Sequence, residues 1–204
     1  MTTRGISGLL AVAALLALAP AKAFALPHVP RPELALSAGR TWAVTGAPDD
    51  GGLTFAIAPT WHVCERGRFG FVGYADDLGT QLVELFDPND GTPLGTAAEL
   101  HRWTFGAAWR AEADLWDRGP WTVGATGAWG WWRVQDDVRG DVNAAGSAVG
   151  FILGADVRRA AGRGREVGLT VRYHRLDENR EVTWKRVDRY ASAALEMRWK
   201  APGR

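Results

Sequence analysis

Alternation of apolar residues with small or polar ones, sustained over segments of about eleven residues, is the feature of this 204-residue sequence that most restricts its fold. In segment 165–176, for example, Val167, Leu169 and Val171 alternate with a glycine, a threonine and an arginine. A period of two predicts an extended strand with one apolar face. Eight such segments occur, at about 33–44, 53–64, 68–76, 101–114, 120–134, 147–159, 165–176 and 189–199.

The connections between these segments differ in length in a regular way. Residues 65–67, 115–119 and 160–164 form short connections, whereas residues 45–52, 77–100, 135–146 and 177–188 form longer ones. Short turns at one end and long loops at the other are typical of transmembrane β-barrels, whose long loops face the outside of the cell. The pattern predicts an all-β fold, an eight-stranded antiparallel up-and-down transmembrane β-barrel with both termini on the periplasmic side.

Alternation alone does not say whether the apolar faces contact lipid or a protein core, because a soluble β-sandwich or lipocalin-like barrel alternates as well. Strand length favours lipid, since about 9–11 tilted residues cross a bilayer and strands of soluble proteins average about 5–6. The opposite faces are rich in Gly, Ala, Ser and Thr, which suits a narrow lumen. Aromatic residues near the segment ends predict two interfacial girdles: Trp42, Trp103, Trp129, Trp131 and Tyr173 at the loop end, and Trp61, Trp121 and Trp199 at the turn end.

Four residues do not fit the apolar faces. Arg133 and Arg175 lie near the loop end, where their guanidinium groups can reach lipid headgroups. Arg40 is expected either to snorkel in the same way or to follow a bulge in the first segment. Pro59 lacks the N–H group of a ladder hydrogen bond, and it predicts a bulge in the second segment.

The first 25 residues predict a cleavable secretory signal. Arg4 supplies the positive charge, residues 5–19 are uncharged and apolar, and Ala23-Phe24-Ala25 has the small-x-small cleavage pattern. The apolar stretch is shorter than the roughly 20 residues of a spanning helix. We therefore expect a signal peptide at 1–25, a flexible proline-rich segment at 26–32, a barrel at 33–199 and a C-terminal tail at 200–204.

Composition excludes several classes of function. The 24 Lys and Arg residues balance the 23 Asp and Glu residues, so that no strongly basic surface for nucleic acid is predicted. Cys64 is the only cysteine, which excludes a disulfide within one chain and a cysteine-rich metal site. We expect no cofactor, no metal ion and a monomeric protein.

These features together resemble the small outer-membrane β-barrel families, of which the OmpA membrane domain and OmpX are members. The resemblance is carried by the export site Ala23-Phe24-Ala25, the hairpin rhythm, segment 168–177 and the last segment 190–199, and it covers most of the mature chain. Such proteins usually end at a terminal aromatic residue that the barrel assembly machinery reads, whereas residues 200–204 follow Trp199 here. The resemblance implies insertion by that machinery into the outer membrane of a Gram-negative bacterium, in contact with outer-membrane lipid and lipopolysaccharide.

The polar faces of the later segments bring charged residues of both signs into the predicted lumen. Buried charges are tolerated only when they are paired and hydrogen-bonded. We expect an ion-pair network that plugs the barrel, with three arginines bridged by three carboxylates: Arg110, Arg172 and Arg198 by Glu112, Asp156 and Glu196. The full set of lumen residues is Arg110, Glu112, Asp114, Asp156, Arg158, Arg172, His174, Glu196 and Arg198. A gated narrow pore is the alternative.

An enzyme that modifies lipid A is an alternative from a different class of function. Barrel enzymes of the deacylase type pair a histidine with a neighbouring serine near the outer rim of a late strand, and His174 has that location but no serine beside it in the sequence. His62 and His101 have no evident partner either. A nucleophile within hydrogen-bond reach of a base is the minimum for such chemistry, so that no catalytic residue is predicted.

The long connections are rich in acidic residues, among them Asp76, Asp77, Asp136 and Asp137. These carboxylates are expected to be solvated or to share divalent cations beside lipopolysaccharide. The apolar run 82–86 within the longest connection is expected to cover the barrel mouth, rest on the membrane or contact a partner. We predict a structural or surface-interaction role, including binding of an extracellular ligand through the loops, and a soluble ligand-binding barrel is the third alternative.

Overall fold

The computed structural model describes residues 32–44, 51–87, 90–138, 142–162, 164–178 and 189–200. Nearly all of them belong to eight strands: β1 (Pro32–Ala43), β2 (Leu53–Cys64), β3 (Gly67–Phe86), β4 (Pro93–Arg118), β5 (Trp121–Val138), β6 (Val142–Ala160), β7 (Arg165–Glu178) and β8 (Arg189–Lys200). The predicted signal peptide, most of the proline-rich segment and the tail after Lys200 lie outside the described residues. Within the described part of the chain, no helix has the length and hydropathy needed to span a bilayer.

Each strand pairs with its neighbours in the chain and β1 pairs with β8, so that the sheet closes into an antiparallel barrel. The ladder is staggered around the barrel. Following directly paired residues from Arg40 on β1 to β8, and then strand by strand from β7 to β3, leads to Cys64 on β2. On the other side of β1, Arg40 pairs with a different residue of β2, Leu53. Such a stagger tilts the strands, and eight tilted strands leave an interior just wide enough for side chains. The predicted fold class is confirmed.

The strands at the loop end are longer than predicted. β3 and β4 continue through most of the predicted connection 77–100, and β5 and β6 leave only residues 139–141 between them. The prediction ended the third segment at Asp76 and the fifth segment at 134, two residues before Asp136, because carboxylates often mark turns. Both side chains instead point into the barrel, where Thr54 and Arg102 donate hydrogen bonds to them, and the backbone continues as strand. The apolar run 82–86 therefore belongs to β3.

The connections at the other end are tight. Gly119 and Pro120 join β4 to β5, and the φ of 59° at Gly119 is in the left-handed region that favours glycine. The predicted connection 115–119 is mostly strand, because a bulge between Asp114 and Trp116 lets β4 continue to Arg118. Tight turns at one end and extended hairpins at the other keep the asymmetry of transmembrane barrels.

The two faces of the barrel have opposite chemistry. On the outside, Leu195 is 67% exposed, Leu169 is 52% exposed and Val157 is 46% exposed. On the inside, Arg110 and Arg172 are almost completely buried. This is the reverse of a soluble barrel, since soluble monomers rarely expose large contiguous apolar surfaces. The outward face is therefore a lipid-contacting belt, and the soluble alternative is wrong.

Arg40 shows how the outward register tolerates a charge. Its Nη2 donates to the carbonyl oxygen of Gly51 at 2.9 Å, so that the side chain reaches towards the loop end. β1 keeps a continuous register with both β2 and β8. The snorkelling alternative is therefore the one that the structure shows, and no bulge is present in β1.

Pro59 interrupts hydrogen bonding without shifting the strand. Ile57 and Thr60, on either side of it, have the same register with β3, and the bulge of β2 lies between His62 and Cys64. The predicted bulge at Pro59 is wrong because a missing N–H removes a bond from the ladder but adds no residue to it.

The aromatic residues predicted to form girdles all lie on the outward register. Several are interior to a strand and not at its end, because β4 and β5 continue beyond the predicted boundaries. On β5, the stretch from Trp121 to Trp131 matches the about 9–11 residues that cross a bilayer, and tryptophan favours both interfaces. The residues near strand ends are Trp42, Trp61, Trp121 and Trp199, and those further inside are Trp103, Trp129, Trp131 and Tyr173.

Candidate functional site

Charged side chains fill the interior of the barrel towards the turn end. The residues predicted to line the lumen all lie on the inward register, and all but the half-buried Asp114 are buried: Arg110, Glu112, Asp114, Asp156, Arg158, Arg172, His174, Glu196 and Arg198. Each of the four arginines in this set has a carboxylate partner within the set. The interior is therefore a paired network, with no unpaired arginine among these residues.

Arg198 is one of four charged side chains that form a closed ring of ion pairs. Its Nη1 lies 2.6 Å from Glu112 Oε2, and its Nη2 lies 2.9 Å from Glu196 Oε1. Arg110 completes the ring, because its Nε is 2.7 Å from Glu112 Oε1 and its Nη2 is 3.3 Å from Glu196 Oε2. The ring connects β4 to β8 across the lumen. Arg172 joins it through Glu196 at 3.2 Å.

A second group surrounds Arg158 nearer the turn end. The Nε of Arg158 is 2.5 Å from Asp156 Oδ2, its Nη1 is 3.1 Å from Glu166 Oε2, and its Nη2 contacts Asp114. Lys200 contacts Glu166 from the end of β8. Asp156 was expected to bridge the ring arginines, but it pairs with Arg158 because the two residues are neighbours on the inward face of β6.

Two residues that the sequence analysis did not single out connect these groups. The Nε of Arg68 is 2.8 Å from Glu33 Oε2, and its Nη1 is 2.8 Å from Asp114 Oδ1. Glu33 also accepts from His62 at 2.8 Å and lies 3.4 Å from Arg198. The same alternation could have found them, since Glu33 and Arg68 lie on the inward register of the first and third segments.

The space for these long side chains comes partly from inward glycines. A Cβ atom at Gly168 would lie 2.8 Å from the Cγ of Arg158 and 2.4 Å from the carbonyl oxygen of Val157. Glycine at this position therefore lets the Arg158 side chain cross the lumen. Higher in the barrel, a Cβ atom at Gly106 would lie 2.2 Å from Nε1 of the buried Trp132. The lumen is thus packed by an indole as well as by charges.

A hydrogen-bonded cluster lies above the ion-pair ring, towards the loop end. Asp76 accepts from the Thr54 hydroxyl at 2.5 Å and from the Tyr190 hydroxyl at 2.7 Å. His174 stacks on Tyr190 with 4.2 Å between ring centres, and its Nε2 is 3.0 Å from Ser192 Oγ. Its side-chain contacts link β2, β3, β7 and β8 inside the barrel.

This cluster contains the serine that the sequence analysis did not find. Ser192 Oγ, His174 Nε2, His174 Nδ1 and Asp76 Oδ2 follow one another in the order of a hydrolytic triad. The sequence pattern does not reveal this serine, because it is not beside His174 in the chain but lies on the neighbouring strand β8. The Nδ1–Oδ2 distance of 3.8 Å is too long for a hydrogen bond, and all three side chains are 0% exposed.

The acidic residues of the loop end are less available than predicted. Asp76 and Asp136 are buried inside the barrel, and Asp77 Oδ1 lies 3.1 Å from His101 Nε2. In the β3–β4 turn, hydrogen bonds from the Thr92 hydroxyl and N–H lower the pKa of the exposed Asp90 carboxyl. No group of three or more His, Cys, Asp or Glu residues able to hold a metal ion occurs among the residues that the structure describes.

Comparison with known proteins bears on the fold. Neither a scan of protein-family models nor a search of curated proteins gives a match. The chain is similar to the crystal structure of Neisserial surface protein A, with 14% identity and a TM-score of 0.56 over 84% of this chain and 96% of that chain. It is also similar to the N-terminal β-barrel domain of OprF from Pseudomonas aeruginosa, with 6% identity and a TM-score of 0.50 over 84% of this chain and 99% of that domain.

Proposed function

We propose that this chain, which has the fold of the small OmpA/OmpX-like outer-membrane β-barrels, is a non-conducting barrel with a structural and surface-interaction role. The observation that carries the proposal is the closed ring of Arg110, Glu112, Glu196 and Arg198 across the lumen. Each member contacts at least two oppositely charged side chains, inside an interior that has little more room than its own side chains need. A hydrated solute would have to break several buried ion pairs to pass.

The surface role is supported by the hairpin that β3 and β4 form beyond the barrel. β2 pairs with β3 as far as Thr54 and Asp76, and β4 pairs with β5 as far as Leu100 and Val138. Among the described residues, 82–86 and 93–98 therefore have no ladder partner outside this hairpin. A two-stranded ribbon has two free edges of backbone N–H and C=O groups, which another chain can extend by β-strand addition.

The triad-like order of Ser192, His174 and Asp76 gives little support to the lipid-A-modifying alternative. A nucleophile must reach its substrate, whereas Ser192 is fully buried. Asp76 is already bonded to Thr54 and Tyr190 and does not hydrogen-bond His174. We expect a serine-reactive fluorophosphonate to leave the folded protein unlabelled. Labelling that disappears in Ser192→Ala, or a changed acyl pattern of added lipopolysaccharide, would establish the enzyme instead.

Planar-bilayer recording tests the closed lumen. We expect the refolded wild-type protein to give no steady conductance. A variant in which serine replaces Arg110, Glu112, Glu196 and Arg198 removes the ring without changing the net charge, and we expect it to conduct. Its folding is checked by heat-modifiable migration on a gel. Steady conductance of the wild-type protein would contradict the proposal.

The surface exposure of the hairpin is tested by labelling intact cells. In a Cys64→Ser background, Asp90→Cys places a thiol in the β3–β4 turn and Arg66→Cys places one in the β2–β3 turn. A membrane-impermeant maleimide is expected to label the first in intact cells and the second only after the outer membrane is opened. The reverse pattern would place the hairpin in the periplasm.

Export with removal of residues 1–25 is expected to leave a mature chain that begins at Leu26, which N-terminal sequencing checks.

A further inference from the structure

Two arginines and a tryptophan form an outward-facing group at the turn end of β4, β5 and β6. Arg118 pairs with Trp121, and Trp121 pairs with Arg159 on its other side. Directly paired residues of antiparallel strands project from the same face. The guanidinium carbon of Arg159 is 5.6 Å from the centre of the Trp121 ring, within the range of a cation–π contact. The group therefore presents an exposed indole between two exposed guanidinium groups.

This group lies at the edge of the lipid-contacting belt. From Arg159 towards the loop end, the outward residues of β6 include the exposed Val157, Leu153 and Val149. On β5, Trp121 begins the apolar stretch that ends near Trp131. Tryptophan is favoured at the membrane–water interface. The belt thus places both guanidinium groups at the depth of the phospholipid headgroups in the periplasmic leaflet.

The charges of this group are not neutralised by the part of the protein that the structure describes. Neither Arg118 nor Arg159 has an ion pair with a described residue, in contrast to the arginines of the lumen. The nearest carboxylate in sequence, Asp117, pairs with Thr122, which in turn pairs with the lumen residue Arg158, so that Asp117 belongs to the inward register. Two positive charges beside an apolar surface are complementary to an anion that carries its own apolar tail.

We propose that Arg118, Trp121 and Arg159 bind the phosphodiester of an anionic phospholipid, with phosphatidylglycerol as the simplest example. Guanidinium groups donate several N–H bonds to phosphate oxygens, and the indole and Val157 pack against the start of the acyl chains. A lipid is favoured over free phosphate because the group adjoins the apolar belt. Arg165 and Trp199 form a second outward pair at the same end, which repeats the combination.

Native mass spectrometry of the full chain, refolded in a neutral detergent, tests this proposal. We expect the protein to retain phosphatidylglycerol in preference to phosphatidylcholine. The double variant R118Q/R159Q is expected to reduce that retention roughly 10- to 30-fold, since each basic group near an anionic lipid surface contributes about fivefold in affinity. The variant Trp121→Leu keeps an apolar side chain without the cation–π contact and is expected to give a smaller loss.

The control removes the same charge elsewhere. R66Q removes one exposed arginine from the β2–β3 turn and should keep the preference for phosphatidylglycerol, whereas the single variant R118Q removes the same charge and should reduce retention about fivefold. Heat-modifiable migration confirms that every variant is folded. Equal loss in R66Q and R118Q, no preference in the wild-type protein, or displacement of the lipid by millimolar inorganic phosphate would each overturn the proposal.

Discussion

Replacing Arg198 with methionine is expected to destabilise the barrel more than any comparable change at its surface. The guanidinium lies within 2.6 Å of Glu112, 2.9 Å of Glu196 and 3.4 Å of Glu33. Methionine occupies a similar length of the lumen but supplies no charge and no hydrogen-bond donor. The three carboxylates would then share fewer cations while remaining inside the barrel.

The magnitude follows from the burial of all four groups. Removing one partner of a buried ion pair typically costs about 3–5 kcal/mol, because the remaining charge stays desolvated. Arg110 still contacts Glu112 and Glu196, and Arg68 still contacts Glu33, so that the loss is not larger. The double variant R198M/E112Q removes one charge of each sign, and its cost should be smaller than the sum of the single costs by about 1–3 kcal/mol.

Urea unfolding in detergent micelles, followed by tryptophan fluorescence and by heat-modifiable migration, measures these free energies. Arg66→Met is the matched control, since Arg66 is exposed in the β2–β3 turn and its loss should change stability by no more than about 0.5 kcal/mol. Arg198→Lys keeps the charge and gives a measurable value if Arg198→Met does not refold. A cost for Arg198→Met as small as that of Arg66→Met would refute the idea that the ring holds the interior together.

Three further predictions concern other parts of the barrel. Leu195→Arg, in the middle of the outward face of β8, should lower the free energy of unfolding in a bilayer by about 2–4 kcal/mol. Leu94→Arg on the projecting hairpin should leave it nearly unchanged. Equal effects of the two variants would contradict the lipid-facing belt. Gly106→Ala places a methyl group against the Trp132 ring and should cost about 1–3 kcal/mol in the same unfolding assay, while an unchanged stability would mean that the indole moves freely in the lumen. Deleting residues 82–99 and closing the gap with a glycine-containing turn should leave heat-modifiable migration intact, because the deleted part of β3 and most of that of β4 pair only with each other; loss of the folded band would show that the hairpin is needed for the barrel.

The number of strands, their order and the face that each presents could be predicted because one repeated pattern specifies all three. Alternation gave the inward register of Arg110, Arg172 and Arg198 without any knowledge of their partners. The upper parts of β3 to β6 could not be found in this way. Asp76 and Asp136 resemble turn residues until Thr54 and Arg102 are known to face them inside the barrel.

The partners inside the lumen were harder to predict than the lumen itself. Glu112 and Arg198 meet across the interior from β4 and β8, and which residues meet depends on the stagger of the closed ladder. The pattern within one strand carries no information about that stagger. The same reason explains why the sequence pattern does not assign Ser192 to His174, and why it predicts ring partners for Asp156, which instead pairs with Arg158 on its own strand.

The pairing of β1 with β8 makes the barrel an all-or-none assembly along the chain. The last ladder joins residues near the start of the barrel to those near its end, with Glu33 opposite Lys200 and Ala43 opposite Tyr190. A ribosome must therefore finish the whole barrel before its first strand has both neighbours. A product lacking β8 would leave β1 and β7 with bare backbone edges in hydrocarbon, where each unsatisfied polar group costs several kcal/mol. Premature termination should thus yield no partly functional fragment. Truncated chains should remain unfolded in the periplasm, where proteases that act on unfolded proteins would degrade them.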